Sequence, residues 1–151
     1  MKRFRWRLQR ILDVKRQREQ VLRSALFMLA QQIAQTREAI LLRRTRLRML
    51  LDDLGGRGLA DRIADQAIFM QFAGVEETAI ARLEARRADL EAKRAETRTR
   101  FGEARGACKM LTRLREKAYH AYVREVARAE QKELDESAHL AFARKVAVAA
   151  P

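Results

Sequence analysis

The chain has 151 residues, one domain by length; 35% of them are charged, with a single proline and no asparagine. That composition excludes a β-sandwich or an α/β fold, which would need more turn residues and a more aromatic, β-branched interior, and it points to long exposed helices. The net charge of +13 is uneven: residues 1–50 hold 14 Lys/Arg against three acids, a net +11, which implies an acidic partner surface.

The chain opens on RFRWRLQRILDVKRQREQ, residues 3–20, where aromatic and aliphatic residues alternate with arginines before a helical pattern takes over. From Leu8 a 3-4 spacing runs through positions 8, 12, 15, 19, 22, 26, 29, 33, 36, 40, 43, 47, 50 and 54, and ten of these fourteen are Leu or Ile. Leu26, Ile33, Ile40, Leu47 and Leu54 recur every seven residues, which keeps one seam against a partner helix. Lys15, Glu19, Thr36 and Arg43 interrupt the seam. Polar residues there cost stability and fix register, and Lys15 with Glu19 has the spacing of an i, i+4 pair in its weaker orientation.

The seam stops at DDLGGRGLADR, where Gly55, Gly56 and Gly58 form the one dense cluster of helix breakers and Asp61 is placed to cap a second helix. No strand precedes these glycines and no phosphate-loop lysine comes after them, so they are read as a turn. A second seam begins after Gly74, at Ile80, Leu83, Arg87, Leu90, Arg94, Thr97, Phe101, Ala104, Cys108, Leu111, Arg115, Ala118 and Tyr122. Two stripes joined by a glycine turn predict an all-α fold, a long antiparallel two-helix coiled-coil hairpin in a single domain. The expected boundaries are a helix over about 5–54, a turn over 55–60, and a helix over about 61–146 that bends near Gly74.

Residue types that carry chemistry are scarce. Cys108 is the only cysteine, which excludes an internal disulfide, and it has no companion ligand; His120 and His139 lie 19 residues apart with no ligand at i+3 or i+4. Ser24 and Ser137 have no base within reach, and carboxylates on a two-helix rod have no cleft to shift their pKa. No enzyme activity, metal, cofactor or small-molecule substrate is expected. The longest apolar run, residues 25–30, is far shorter than the roughly 20 residues that span a bilayer, and the basic N-terminus lacks a signal peptide's apolar core. The expected location is the cytoplasm.

Contact is then the expected function. A basic stretch ahead of a leucine ladder is the layout of a basic zipper, but such a region reads bases chiefly with an asparagine, which is missing here; nucleic acid is left as non-specific phosphate binding. Phe4, Trp6, Leu8, Ile11 and Leu12 among arginines are similar to an interfacial membrane helix. Phe4, Leu8 and Leu12 also continue into the seam at i, i+4 spacing, whereas Trp6 lies off it, so the core reading explains Trp6 least.

Residues 3–20 resemble the start of FliJ proteins, soluble components of the bacterial flagellar type III export apparatus, in which F-x-x-L-x-x-[VI]-L leads into a basic helix. Here Phe4 or Trp6, Leu8, Ile11 and Leu12 match it, and EQKELDESAHLAFARK, residues 130–145, is similar to the family's C-terminal signature at Gln131, Lys132, Leu134, Asp135 and Glu136. The resemblance implies a coiled-coil stalk in the pore of the hexameric export ATPase FliI that activates the enzyme and links it to the export gate protein FlhA and to export chaperones, peripherally at the inner-membrane base of the flagellum. It implies ATPase contacts at Phe4, Trp6, Leu8, Arg10, Gln131, Lys132, Leu134, Asp135 and Glu136. It also implies a gate contact near Phe72, where the family's subsequent leucine falls on Glu76 with Val75 beside it; the alternative is that Phe69 and Phe72 pack under the turn. An injectisome stalk protein of the YscO type shares the fold and the ATPase role; the terminal signatures favour the flagellar member.

Overall fold

A computed structural model describes residues 3–149, with the side chains of 59–62, 64 and 146–149 outside the description. The fold is all-helical: α1 spans Gln9–Gly56, α2 spans Leu59–Ala149, and no strand occurs among the described residues. The chain divides into two compact units, Arg18–Glu103 and the pair of segments Met1–Gln17 with Ala104–Pro151.

In the Arg18–Glu103 unit the cross-helix ion pairs Arg37–Glu91, Arg44–Glu84 and Arg43–Glu76 fall in decreasing sequence separation toward the turn, which is the signature of antiparallel pairing. Every α1 seam residue from Glu19 to Leu54 is buried or half-buried, with Ile33, Thr36 and Ile40 forming the driest part against Ile80 and Leu90 of α2. Burying such aliphatic side chains contributes about 1.5–3 kcal/mol each. Thr36 satisfies its hydroxyl inside its own helix by donating to the Gln32 carbonyl at 2.8 Å. The α2 stripe starts earlier than its apolar residues suggest: Phe69 and Phe72 are half-buried and Glu76 is buried, so the 3-4 spacing extends back through a carboxylate. Arg94, a seam position by spacing, is exposed, because its long charged side chain reaches water.

In the terminal unit, Leu12 of α1 is fully buried, and Ala104 and Cys108 of α2 are buried. Leu111, Ala118, Tyr122 and Val126 continue the half-buried stripe, whereas Arg115 is exposed and Leu8 retains 37% of its surface. Beyond Val126 the stripe would continue through Ala129, Glu133, Glu136 and Leu140, half of them acidic, and every residue from 127 to 145 is exposed.

Local details differ from the expected boundaries. Helix α1 begins at Gln9 rather than near residue 5: no acid sits in its first turn, and arginines 3, 5 and 7 oppose the positive end of the helix dipole. The connection between helices is only Arg57 and Gly58, since Gly55 and Gly56 belong to α1. No described glycine has a positive φ, so the reversal does not rest on glycine's left-handed conformations. Arg57 holds it instead, donating from Nη2 to Asp53 and from Nη1 to Asp65, both at 2.6 Å. Helix α2 starts at Leu59, which puts Asp61 inside the first turn rather than at the cap, with its side chain outside the described residues. The helical assignment runs without a break through Gly74. Lys15 and Glu19 form no ion pair, in keeping with their unfavourable order along the helix.

Candidate functional site

Charge divides between the units as burial does. Met1–Gln17 with Ala104–Pro151 holds 17 Lys/Arg against seven acids, a net +10; Arg18–Glu103 holds 16 against 13, a net +3. All eight ion pairs among the described residues lie in Arg18–Glu103. The terminal unit therefore presents an excess of cations outside any ion pair among the described residues, and repulsion among them is relieved by solvent, salt or an acidic partner.

Phe4 lies in the non-helical lead before α1 and is seated on α2, with ring centroids 5.4 Å from both Tyr119 and Tyr122, edge-on to the first and tilted to the second. The Trp6 carbonyl accepts the Gln9 amide at 3.2 Å and the Leu8 carbonyl accepts the Leu12 amide at 3.0 Å, so the backbone of these residues starts the helix. Gln9 in turn donates its side-chain amide to Asp13 at 2.9 Å, and Arg10 is exposed. Phe4 and Trp6 are half-buried, so of the four contacts expected here Arg10 and the rim of Leu8 are the ones open to a partner.

Gln131, Lys132, Leu134, Asp135 and Glu136 are all exposed on α2, with Leu134 at 64%. Their polar contacts are local: Gln131 donates to Asp135 at 2.9 Å and Ser137 donates to the Leu134 carbonyl at 2.9 Å. From Tyr122, where Phe4 sits, to Gln131 the helix rises roughly 14 Å. The N-terminal residues and the 131–136 segment thus occupy the same unit as two successive stretches of surface rather than one cluster.

The predicted gate residues separate. Phe72 lines an open, largely apolar cleft of about 640 Å³ together with Met49, Leu50, Leu54, Ile68 and Phe69. Val75 is 64% exposed, whereas Glu76 is 5% exposed and its carboxylate receives Arg43 Nη1 at 2.8 Å. Three features escape the spacing pattern of the sequence: Glu76 in the seam, the Asp53–Arg57–Asp65 clamp, and Tyr119 as the seat of Phe4. The i, i+4 spacing of Asp53 and Arg57 is the one visible signal. Further along, Arg37 donates to Glu91 at 2.8 Å, and that bond, with Arg87 nearby, holds the Glu91 carboxyl below its ordinary range. The two carboxylates on Arg57 hold its guanidinium more firmly protonated than usual, chiefly through the bond to Asp53.

Among the described residues there is no group of three or more His, Cys, Asp or Glu placed to hold a metal ion, and no helix is long and apolar enough to cross a membrane. The geometry offers helix surface, an apolar cleft near the turn and a field of free cations. The profile of the family described as Flagellar FliJ protein matches residues 4–147, nearly the whole chain. No curated protein and no solved structure matches.

Proposed function

We propose, from the premise that this chain belongs to the FliJ family and is a component of flagellar protein export, that it binds and activates the hexameric export ATPase and couples it to the export gate and export chaperones. In this reading the terminal unit is the working end. The observation that carries it is the stretch from 127 to 145, nineteen consecutive exposed residues of α2 that include Gln131–Glu136 and lie past the last half-buried seam residue, Val126. An isolated helix of that length is marginal in water, and an exposed Leu134, Leu140 and Phe142 gain from burial against a partner.

Activation then requires a shaft that fits its ring without one deep minimum. A surface of dispersed charges around few apolar anchors meets that requirement, because its attraction is long-ranged and weakly directional. At the other unit the apolar cleft containing Phe72, with Val75 beside it, is the contact assigned to the export gate, and Glu76 is left to the helix pair. Catalysis belongs to the ATPase, and this chain acts by contact.

The test is a titration of this protein into the export ATPase from the same genome, following ATP hydrolysis, beside a version ending at Ala129. The intact chain is expected to stimulate turnover at physiological salt and the shortened one to lose that stimulation. Equal rates with and without the intact chain would end this reading.

A further inference from the structure

We infer that the terminal unit has one side built to sit on an anionic lipid surface. The proposal goes beyond the ATPase reading and does not depend on it.

The side is identified by helix phase. In an antiparallel pair of right-handed helices, the residues that come directly after each seam position on the two helices face the same way, and those that precede it share the opposite side. The ion pairs Arg37–Glu91 and Arg44–Glu84 illustrate the rule, since all four residues come directly after seam positions, 36, 90, 43 and 83. In the terminal unit the preceding residues are Arg7, just ahead of α1, Ile11 and Val14 on α1, and Ala107, Met110, Leu114, Lys117, Ala121 and Glu125 on α2. Ile11 is 49% exposed, Val14 63%, Met110 67% and Leu114 47%. The opposite side carries Gln9, Asp13 and Arg16 with Arg105, Lys109, Thr112 and Glu116, and its exposed apolar residues, Tyr119 at 49% and Val123 at 44%, come only past Glu116.

Around that aliphatic strip the charge is predominantly positive. Residues 3–17 and 104–128 hold 13 Lys/Arg against three acids; all of those cations except half-buried Lys15 are exposed, and no ion pair occurs among them. Aliphatic side chains bordered by arginines and lysines, with a tryptophan at one end, match the interface of an anionic bilayer: the cations meet lipid phosphates and the aliphatic tips enter the headgroup boundary. Nucleic acid would use the cations and gain nothing from Ile11, Val14, Met110 and Leu114. The structure also changes which residues bear the membrane reading. Leu12 is buried and Phe4 is seated on tyrosines, so the lipid-facing set is the strip beside the seam rather than the seam itself.

The experiment is co-sedimentation of the full chain with vesicles of equal parts phosphatidylglycerol and phosphatidylcholine, and with phosphatidylcholine alone, reading Trp6, the only tryptophan, by fluorescence in the same samples. Binding is expected to the anionic vesicles only, with a blue shift of Trp6 and weakening as salt rises. Val14→Ser with Met110→Ser is expected to reduce partitioning by about tenfold. Val123→Ser, on the opposite side and 44% exposed, is expected to leave it unchanged. Helix content by circular dichroism accompanies each variant, since the changed positions are exposed. No binding to anionic vesicles would overturn the proposal, as would equal losses from the two sets of substitutions. Binding to duplex DNA that the Val14/Met110 change leaves intact, without lipid binding, would replace the lipid with a nucleic acid. None of these outcomes bears on ATPase stimulation, which the truncation at Ala129 tests separately.

Discussion

Arg43 on α1 donates to Glu76 on α2 across 2.8 Å, and the two partners are unequally dry: the Glu76 side chain keeps 7% of its surface and that of Arg43 37%. The asymmetry decides which deletion costs more. Removing Arg43 leaves a carboxylate with little access to water, whereas removing Glu76 leaves a guanidinium that reaches solvent. Arg43→Ala is expected to cost about 2–3 kcal/mol and Glu76→Gln about 1 kcal/mol in urea unfolding at neutral pH. Replacing both by leucine is expected to be neutral or stabilising, at the expense of register. Equal costs for the two single variants would refute the asymmetry.

The glycines near the turn lead to a second prediction. Gly55 and Gly56 lie within α1, neither has a positive φ, and a methyl group added at either meets nothing within 4 Å. Glycine there supplies only conformational freedom to the unfolded chain. Gly55→Ala and Gly56→Ala should each stabilise the protein by about 0.5–1 kcal/mol. Arg57→Ala should destabilise it, because the reversal rests on that guanidinium between Asp53 and Asp65. Thermal melts of the three variants decide it: a lower melting temperature for either alanine variant at 55 or 56 would restore the glycine-turn explanation.

That contrast marks what was legible in the sequence. The period of Leu and Ile from Leu8 to Leu54 defined the buried face of α1 because aliphatic burial is a pattern of spacing, and spacing is what a sequence records. The glycines marked where the turn falls, since the connection at Arg57 and Gly58 lies inside the expected 55–60, but helix breakers report propensity and could not show the ion network of Arg57 with Asp53 and Asp65, whose members come from both sides of it. Glu76 hid the first turns of the α2 stripe for a related reason. A carboxylate reads as surface until its partner is known, and Arg43 lies 33 residues away. Of the candidate site, the exposed segment 131–136 could be named from its signature. The seating of Phe4 on Tyr119 could not, since it pairs residues from opposite ends of the chain.

Acid should loosen the pair between Arg37 and Glu91. The arginine's hydrogen bond lowers the Glu91 pKa in the folded state from the ordinary 4.5, so the pair adds stability above that value and loses it as the pH falls below and through the folded-state pKa. The pair is exposed, so the effect is screened by salt. Melting temperature measured at low salt against pH should fall less steeply below 4.5 for Glu91→Gln than for the unaltered chain. Parallel curves would show that the pair is silent.

Phe4 and Leu134 separate folding from contact within one unit. Phe4 is half-buried against two tyrosine rings, and such aromatic contacts add about 0.5–1.5 kcal/mol beyond area. Phe4→Ala should therefore destabilise the protein by about 1–2 kcal/mol and impair every activity of the terminal unit together. Leu134 is 64% exposed on a stretch with no buried residue, so Leu134→Ala should leave stability within about 0.5 kcal/mol. If the 131–136 segment is the ATPase contact, the same substitution should raise the concentration needed for half-maximal stimulation severalfold, because an exposed leucine that becomes buried on binding is worth about 1–2 kcal/mol. Paired melts and ATPase titrations read both quantities on the same samples. A Leu134→Ala protein with unchanged stability and unchanged stimulation would move the contact off this face of α2, toward Arg10 and the rim of Leu8.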